Sequence, residues 1–195
     1  MASAYLPDGS VVYLNSGTTL QYNSRTWAER REVKLEGEAF FKVKRGSTFS
    51  VITSKSITSV LGTSFNVYAR GAEVRVCCIT GKVLVTSTCN GESKLLLPGN
   101  VTTVEENTHV ELRKANVDLE AKWVDGKFYF QQARIERVLE EMERQYNVEI
   151  VYKGGSGRMY TGFFTNKNLL EALDLVCIPM QLHYRKLNSS TIEIY

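Results

Sequence analysis

Short runs of alternating apolar and polar residues fill the first half of the chain, from Tyr5 to about Thr108. Runs with this two-residue period, separated by Gly, Asn and Ser, are typical of β-strands joined by turns. Gly37 is expected to end one strand before the next begins. The pattern predicts strands at Val11–Leu14, Thr19–Tyr22, Arg31–Leu35, Glu38–Val43, Phe49–Thr53, Ser56–Val60, Phe65–Tyr68, Glu73–Ile79, Lys82–Thr86, Leu95–Leu97, Val101–Val104 and His109–Arg113. It therefore indicates an all-β domain, a sandwich or roll of short, mostly antiparallel strands.

Two pairs of these strands are expected to form β-hairpins. The first joins Val11–Leu14 to Thr19–Tyr22, because a turn sequence that contains Gly17 lies between them. The second joins Glu73–Ile79 to Lys82–Thr86 across the short turn that separates them. In a hairpin the two strands are direct neighbours in one sheet, so each pair predicts a local contact.

Beyond about Lys114 the spacing of apolar residues changes from two to between three and four. Apolar side chains recur at this spacing from Ile135 to Tyr146, with Arg and Glu on the other faces, which predicts an amphipathic helix. A second helix is expected to begin after Asn168, whose side chain can cap the first turn, and to end at Pro179.

Five further strands flank these two helices, at Phe128–Phe130, Val148–Tyr152, Tyr160–Phe164, Gln181–Lys186 and Thr191–Tyr195. The resulting order, βαββαββ, predicts a small α+β domain. We therefore divide the chain into an all-β domain at residues 5–113, a short connection at 114–122 and an α+β domain at 123–195. Trp123 is expected to act as an apolar anchor between the two domains.

The composition is that of a globular chain: of 195 residues, 43% are hydrophobic and 23% are charged, with a formal net charge of +3. No apolar stretch approaches the roughly 20 residues of a membrane-spanning helix. No basic segment followed by an apolar one indicates a signal peptide. The basic pair Arg30 and Arg31 is flanked by Glu29 and Glu32, so the charge pattern does not favour binding to nucleic acid.

The four cysteines, Cys77, Cys78, Cys89 and Cys177, lack the spacing of a metal site, so we expect no metal and no other cofactor. Cys77 and Cys78 are adjacent in a predicted strand and must point to opposite faces. Cys78 is expected in the core, as is Cys177 on the apolar stripe of the second helix, both unpaired. A disulfide between Cys77 and Cys89 is the alternative.

Residues that could carry catalysis are few. The two histidines, His109 and His183, lie in strand-like segments, where a half-exposed structural role is expected rather than that of a general base. Asp8 lies in a turn sequence and Glu38 lies beside a glycine, so turn and edge roles account for both carboxylates. We therefore expect no enzyme, and a hydrolase is only a third class of function.

Three segments together carry a family resemblance: Leu6–Asn15 (LPDGSVVYLN), Arg31–Val43 (REVKLEGEAFFKV) and Val60–Val67 (VLGTSFNV). Their residues and their order resemble the FecR family, with its patterns LPDGS.V.LN, R.V.L.GEAFF.V and VLGT.FNV. The region from Trp123 onward is similar to the C-terminal domain common in the Bacteroidetes members, which resembles the short secretin/TonB signalling fold. The resemblance covers nearly the whole chain.

The resemblance implies a role in signalling. Members of the family are single-span anti-sigma regulators whose periplasmic part receives the signalling domain of an outer-membrane TonB-dependent transporter. A cytoplasmic segment then controls an extracytoplasmic-function sigma factor. We therefore expect this chain to be the periplasmic sensor of such a regulator, with the membrane span and the segment that binds the sigma factor upstream of Tyr5.

A partner is expected to dock on the α+β domain, at a strand on the edge of its sheet. An open edge leaves unpaired N–H and C=O groups to which a strand of another chain can bind. The alternative is that this strand lies between neighbours and that its isoleucines complete the core. The charged face of the helix between Arg134 and Arg144 is either a solvated face or a second docking surface. The predicted docking residues are Thr191, Ile192, Glu193, Ile194 and Tyr195.

A secreted module that binds glycans is the alternative function. Glycan sites usually present exposed aromatic rings, and Tyr22, Trp27 and Trp123 are the candidates here. Buried and dispersed rings would count against this function, whereas a concave cleft lined by them would favour it.

Overall fold

A computed structural model of the protein describes residues 1–105, 111–114 and 116–195. These residues form two compact units, Met1–Val124 and Asp125–Tyr195. The first contains mostly antiparallel strands, and the second contains two helices among short strands. The predicted fold class, an all-β part followed by a small α+β part, is therefore confirmed.

The described strands of the first unit are β1 (Ala2–Tyr5), β2 (Val11–Leu14), β3 (Thr19–Tyr22), β4 (Arg31–Lys42), β5 (Phe49–Ile52), β6 (Ser56–Val60), β7 (Ser64–Arg70), β8 (Glu73–Thr80), β9 (Val83–Ser87), β10 (Ser93–Leu96), β11 (Asn100–Val104) and β12 (Glu111–Lys114). They belong to one sheet, with β10-β9-β6-β5-β4-β7-β8-β11-β12 as the order of neighbours. In addition, β2 and β3 pair with β4, and β1, which was not predicted, pairs with β2. A one-turn helix, α1 (Val117–Glu120), follows the last strand.

The long strand β4 is shared by two halves of this sheet. Its residues before Gly37 pair with β3 and β5, whereas those from Gly37 onward pair with β7 and, further along, with β2. Gly37 has a φ of 116°, and a Cβ at this position would lie 2.7 Å from the Cα of Thr18. The prediction that Gly37 ends a strand is wrong, because the glycine lets a single strand pass from one half-sheet to the other.

Neither predicted hairpin of the first unit forms. β2 and β3 both pair with β4, at successive positions along it, and not with each other. β8 pairs with β7 and β11, whereas β9 pairs with β6 and β10. The turn between β8 and β9 therefore carries the chain from one half-sheet to the other. Turn residues mark where a strand ends, but they do not determine which strand becomes its neighbour.

Both half-sheets contribute their inner faces to one apolar core. The ring of Phe41 from β4 is fully buried and stacks on Phe65 from β7, with 5.0 Å between ring centroids. Phe49 from β5, on the other half-sheet, lies 6.0 Å from the same ring. Burying a side chain of this size contributes roughly 1.5–3 kcal/mol. The alternation that predicts these strands thus also identifies the residues that hold the two half-sheets together.

The second unit has the predicted order βαββαββ. Its elements are β13 (Lys127–Arg134), α2 (Ile135–Tyr146), β14 (Glu149–Tyr152), β15 (Met159–Thr165), α3 (Leu169–Cys177), β16 (Tyr184–Lys186) and β17 (Thr191–Ile194). β13 and β15 form an antiparallel pair, and a separate three-stranded sheet has the order β14-β17-β16. Asn168 caps α3 as predicted, because its side-chain oxygen accepts hydrogen bonds from the N–H groups of Leu170, at 2.9 Å, and Glu171, at 3.4 Å.

The predicted apolar faces of the two helices form the core of this unit together with aromatic rings of the strands. Phe128 of β13 and Phe164 of β15 stack at 5.0 Å between centroids. The buried helical side chains are Ile135, Val138, Leu139 and Met142 of α2 and Ala172, Leu173, Val176 and Cys177 of α3.

Candidate interaction surfaces

The strand predicted to dock a partner does not lie at an edge. β17 is the central strand of its sheet, parallel to β14 on one side and antiparallel to β16 on the other. Its backbone groups therefore already have neighbours on both sides. The prediction of an open edge at residues 191–195 is wrong, and the alternative is confirmed: Ile192 and Ile194 are buried in the core. The predicted docking role of these residues was based on an open edge, so the structure does not support it.

Glu193, also on β17, joins the three strands of this sheet through charge. Its carboxylate forms salt bridges with Lys153, which follows β14, and with Arg185 of β16, where the nitrogen and oxygen are 2.6 Å apart. Hydrogen bonds from Lys153 and Arg185 lower the pKa of Glu193. Both cationic side chains are exposed, so solvent screens the attraction and the group contributes little to stability.

The remaining residues of the predicted site also make local contacts. The hydroxyl of Thr191 lies 3.2 Å from a carboxylate oxygen of Glu149. The guanidinium of Arg185 lies 5.8 Å from the ring centroid of Tyr195, which is half-exposed. The structure therefore brings these side chains together as cross-strand pairs of one sheet.

The charged face of α2 mostly serves contacts within its own unit. Arg144 pairs with Glu141 at 2.8 Å, and Gln145 donates a hydrogen bond to the same carboxylate. Glu143 accepts a hydrogen bond from the backbone N–H of Ile150 at 2.7 Å, which ties the helix to β14. These bonds favour the interpretation of this face as a structural and solvated one.

A buried polar cluster lies on the outer face of the half-sheet that contains β7. The carboxylate of Glu38 accepts hydrogen bonds from the side chains of Asn15 and Asn66, both at 2.8 Å. Asn66 in turn accepts one from the indole of Trp123 at 3.1 Å. Buried polar groups require such partners, and these bonds hold residues 117–124, the last of the first unit, on the sheet. The edge role expected for Glu38 is therefore wrong.

Arg75 extends this cluster. Its guanidinium lies 3.6 Å from the carboxylate of Glu120 and 5.6 Å from the ring centroid of Tyr68. Burial opposes the charge of Arg75, but the attraction of Glu120 and Glu38 outweighs it and raises the pKa of the guanidinium. This cluster was not predicted from the sequence, although the alternation of β4 places Glu38 on the face opposite to Ala39 and Phe41.

Of the candidate catalytic residues in the described part of the chain, Asp8 makes local structural contacts and His183 lies at the surface. Asp8 accepts hydrogen bonds from the N–H and the hydroxyl of Ser10 and pairs with Arg31 at 2.7 Å. Burial raises the pKa of Asp8, but these hydrogen bonds outweigh it and lower the pKa overall. The turn role of Asp8 is confirmed. His183 is exposed beside Tyr195, and His109 lies outside the described residues.

Within the described ranges, no group of three or more His, Cys, Asp or Glu side chains is placed to hold a metal ion. Cys78 and Cys177 are buried and unpaired, as predicted. Cys77 and Cys89 are also free, so the alternative disulfide is not formed. Burial raises the pKa of the Cys78 and Cys177 thiols to about 11, which makes both unreactive.

The two tryptophans do not form an exposed platform. Trp27 and Trp123 are each 5% exposed, the first packed on Phe49 and the second bonded to Asn66. Tyr22 is half-exposed, and its ring meets the edge of Trp27. The buried tryptophans count against the glycan-binding alternative.

An exposed aromatic pair lies instead on the two-stranded sheet. Tyr129 of β13 and Phe163 of β15 are directly opposite in register and stack at 5.4 Å between centroids. Their exposed fractions are 39% and 40%. The sequence analysis missed this pair, although adjacent aromatic residues in a strand, such as Phe128 and Tyr129, must point to opposite faces.

Two family models match the sequence: "FecR protein" over residues 1–84 and "FecR, C-terminal" over residues 127–194. The chain is also similar to two crystal structures, at 1.65 and 2.50 Å, of a protein from Parabacteroides distasonis ATCC 8503 assigned as an anti-sigma factor. In both comparisons the TM-score is 0.90 and the identity is 33%, over 100% of this chain and 93% of the other. No curated protein matches the sequence. None of the helices in the described part of the chain has the length and apolar character needed to span a bilayer.

Proposed function

We propose that this chain, which belongs to the FecR family, is the periplasmic sensor of a transmembrane anti-sigma regulator. It binds the signalling domain of an outer-membrane TonB-dependent transporter. A cytoplasmic segment of the same regulator then controls an extracytoplasmic-function sigma factor. The chain acts through protein–protein contact and without catalysis.

The observation that carries this proposal is where the two family matches lie. The first falls within the unit Met1–Val124 and the second within Asp125–Tyr195, so each compact unit corresponds to one of the two family models. The similarity to an anti-sigma factor over the whole chain supports the same role.

Direct binding tests the proposal. The purified chain is titrated by isothermal calorimetry with the signalling domain of each TonB-dependent transporter of its host, and with an unrelated domain of similar size as the control. One signalling domain is expected to bind saturably, with a dissociation constant on the order of micromolar, as for a transient signalling contact. If no signalling domain binds, the proposed function is wrong.

A further inference from the structure

The helix α3 is apolar on two sides. Its inner side is buried in the core and includes Leu173 and Val176. Its outer side carries Leu170, which is 46% exposed, and leads to Ile178, just past the last turn, which is 69% exposed. A helix on the surface normally carries apolar residues on one side only, because the other side faces water. The outer side of α3 therefore has the character of a surface that is covered in a complex.

The outer side of α3 also has the shape of a binding surface. It lines a shallow groove of about 470 Å³, formed by Glu171, Asp174, Leu175, Ile178 and Pro179. The carboxylate of Asp174 accepts a hydrogen bond from the hydroxyl of Tyr184 at 2.8 Å, which links the groove to β16. The groove is thus lined by apolar side chains together with two acidic ones.

The charge of this groove indicates the kind of partner. Glu171 and Asp174 are both acidic, and the last turn of α3 contains no basic residue. The partial negative charge at the carboxyl end of the helix therefore adds to that of the two carboxylates. The neighbouring helix α2 differs, since its outer side is charged and its acidic residues are largely paired with groups of the same unit.

We propose that the groove lined by Glu171, Asp174, Leu175, Ile178 and Pro179, named here the α3 groove, is the docking surface for the transporter's signalling domain, together with the exposed side chain of Leu170. It binds a segment in which apolar side chains are flanked by Lys or Arg. The inference rests on the proposed function and adds the site and the chemistry of the contact. A second copy of this chain that docked through the same groove would bring acidic groups against acidic groups, and an anionic membrane would be repelled by the groove.

The test compares variants in the calorimetric titration with the signalling domain that binds the wild-type chain. Ile178→Glu places a charge in the apolar lining of the groove and is expected to weaken binding about tenfold or more, because apolar anchors carry most of the affinity of an interface. Leu61→Glu is the matched control, since Leu61 is 61% exposed in the first unit, and it is expected to leave binding unchanged. Circular dichroism verifies that both variants fold.

A second variant tests the charge of the groove and remains informative if Ile178→Glu does not fold. Glu171→Lys is expected to weaken binding severalfold at low ionic strength, and the difference from the wild-type chain is expected to shrink as salt is raised. Unchanged or tighter binding by Glu171→Lys would overturn the basic character of the partner.

The outcomes separate the two proposals. If a signalling domain binds the wild-type chain and the folded Ile178→Glu variant equally well, the α3 groove is not the docking surface, whereas the proposed function stands. If none binds the wild-type chain, both are wrong. Sedimentation of the chain alone provides a further check, because a dimer that Ile178→Glu dissociates would assign the groove to a second copy and overturn the proposal.

Discussion

Three of the four cysteines, Cys77, Cys78 and Cys177, are buried, and burial raises their pKa values, to about 12 for Cys77 and about 11 for the other two. The nearby carboxylate of Glu120 contributes to the increase at Cys77. Since the thiolate is the reactive form, these thiols are expected to react slowly in the native protein. Cys89 is exposed and is expected to react rapidly.

Labelling with a thiol reagent at about pH 8 and counting the adducts by mass spectrometry checks this prediction. One thiol of the native chain is expected to react rapidly, and all four are expected to react after denaturation. The control Cys89→Ser removes the rapid reaction. Rapid native labelling of a second thiol would show that the burial described for these residues is wrong.

Glu193 is expected to give the protein a pH-dependent element of stability. Hydrogen bonds from Lys153 and Arg185 lower its pKa in the folded state below the ordinary glutamate value of about 4.3. A lowered pKa stabilises the folded state above the unfolded-state pKa, and this stabilisation is lost as pH falls through the folded-state value. Wild-type protein should therefore be slightly more stable than Glu193→Gln near neutral pH, and the two should be equally stable in strong acid, where Glu193 is protonated.

Urea unfolding as a function of pH, combined with an NMR titration of the Glu193 carboxyl, measures this effect. Glu140→Gln is the control, because the Glu140 side chain is more exposed than that of Glu193 and its pair with Arg144 is longer, at 3.7 Å. A folded-state pKa of Glu193 at or above the ordinary value would contradict the role assigned to the two cations.

Among the elements, β4 depends on the backbone conformation of Gly37. Gly37→Ala is expected to lower the free energy of unfolding by roughly 2–5 kcal/mol, because the new Cβ would meet the backbone of Thr18 and the positive φ is unfavourable. Gly71→Ala is the matched control. Gly71 also has a positive φ, 54°, but no atom lies within 4 Å of its ideal Cβ, so a cost of about 1 kcal/mol is expected. Urea denaturation followed by circular dichroism measures both, and equal costs would contradict the close approach at Gly37.

The segment at residues 117–124 is expected to depend on the hydrogen bond of Trp123. Trp123→Phe removes the indole donor and leaves the buried oxygen of Asn66 without it, which should cost roughly 1–3 kcal/mol beyond the lost apolar area. Trp27→Phe is a matched control, since Trp27 is equally buried but its indole N–H has no hydrogen-bond partner in the described part of the chain. Urea unfolding should show the larger loss for Trp123→Phe, and an equal loss would contradict the role of the hydrogen bond.

The sequence predicts where strands and helices lie better than it predicts which strands pair with one another. Alternation and helical spacing depend on local burial, so they correctly placed β2, β3, β6 and α2. Pairing depends on parts of the chain that are distant in sequence. β17 became a central strand because β14, which precedes α3, inserts beside it in parallel. The sequence of the last hairpin alone does not show that β14 pairs with β17.

The same distinction applies to the candidate surfaces. Glu38, Asn66 and Trp123 come from three separate segments, and only the folded sheet shows that they form one cluster. The outer side of α3 was not visible in the sequence, since helical spacing assigns Leu170 to the apolar stripe and only the structure shows that Leu170 is exposed. Family resemblance predicted the role in signalling, but its motifs encode the core and the turns of the fold and do not mark a docking surface.

At the scale of the whole molecule, the proposed function is a link between a transporter at the outer membrane and transcription. The most direct measurement is transcription from a promoter of the cognate sigma factor, in cells that carry the full-length regulator. The transporter is supplied with or without its signalling domain, and its transport substrate is then added. Transcription is expected to respond to the substrate only when both the signalling domain and the region of the regulator represented by this chain are present. An equal response without the signalling domain would contradict the account.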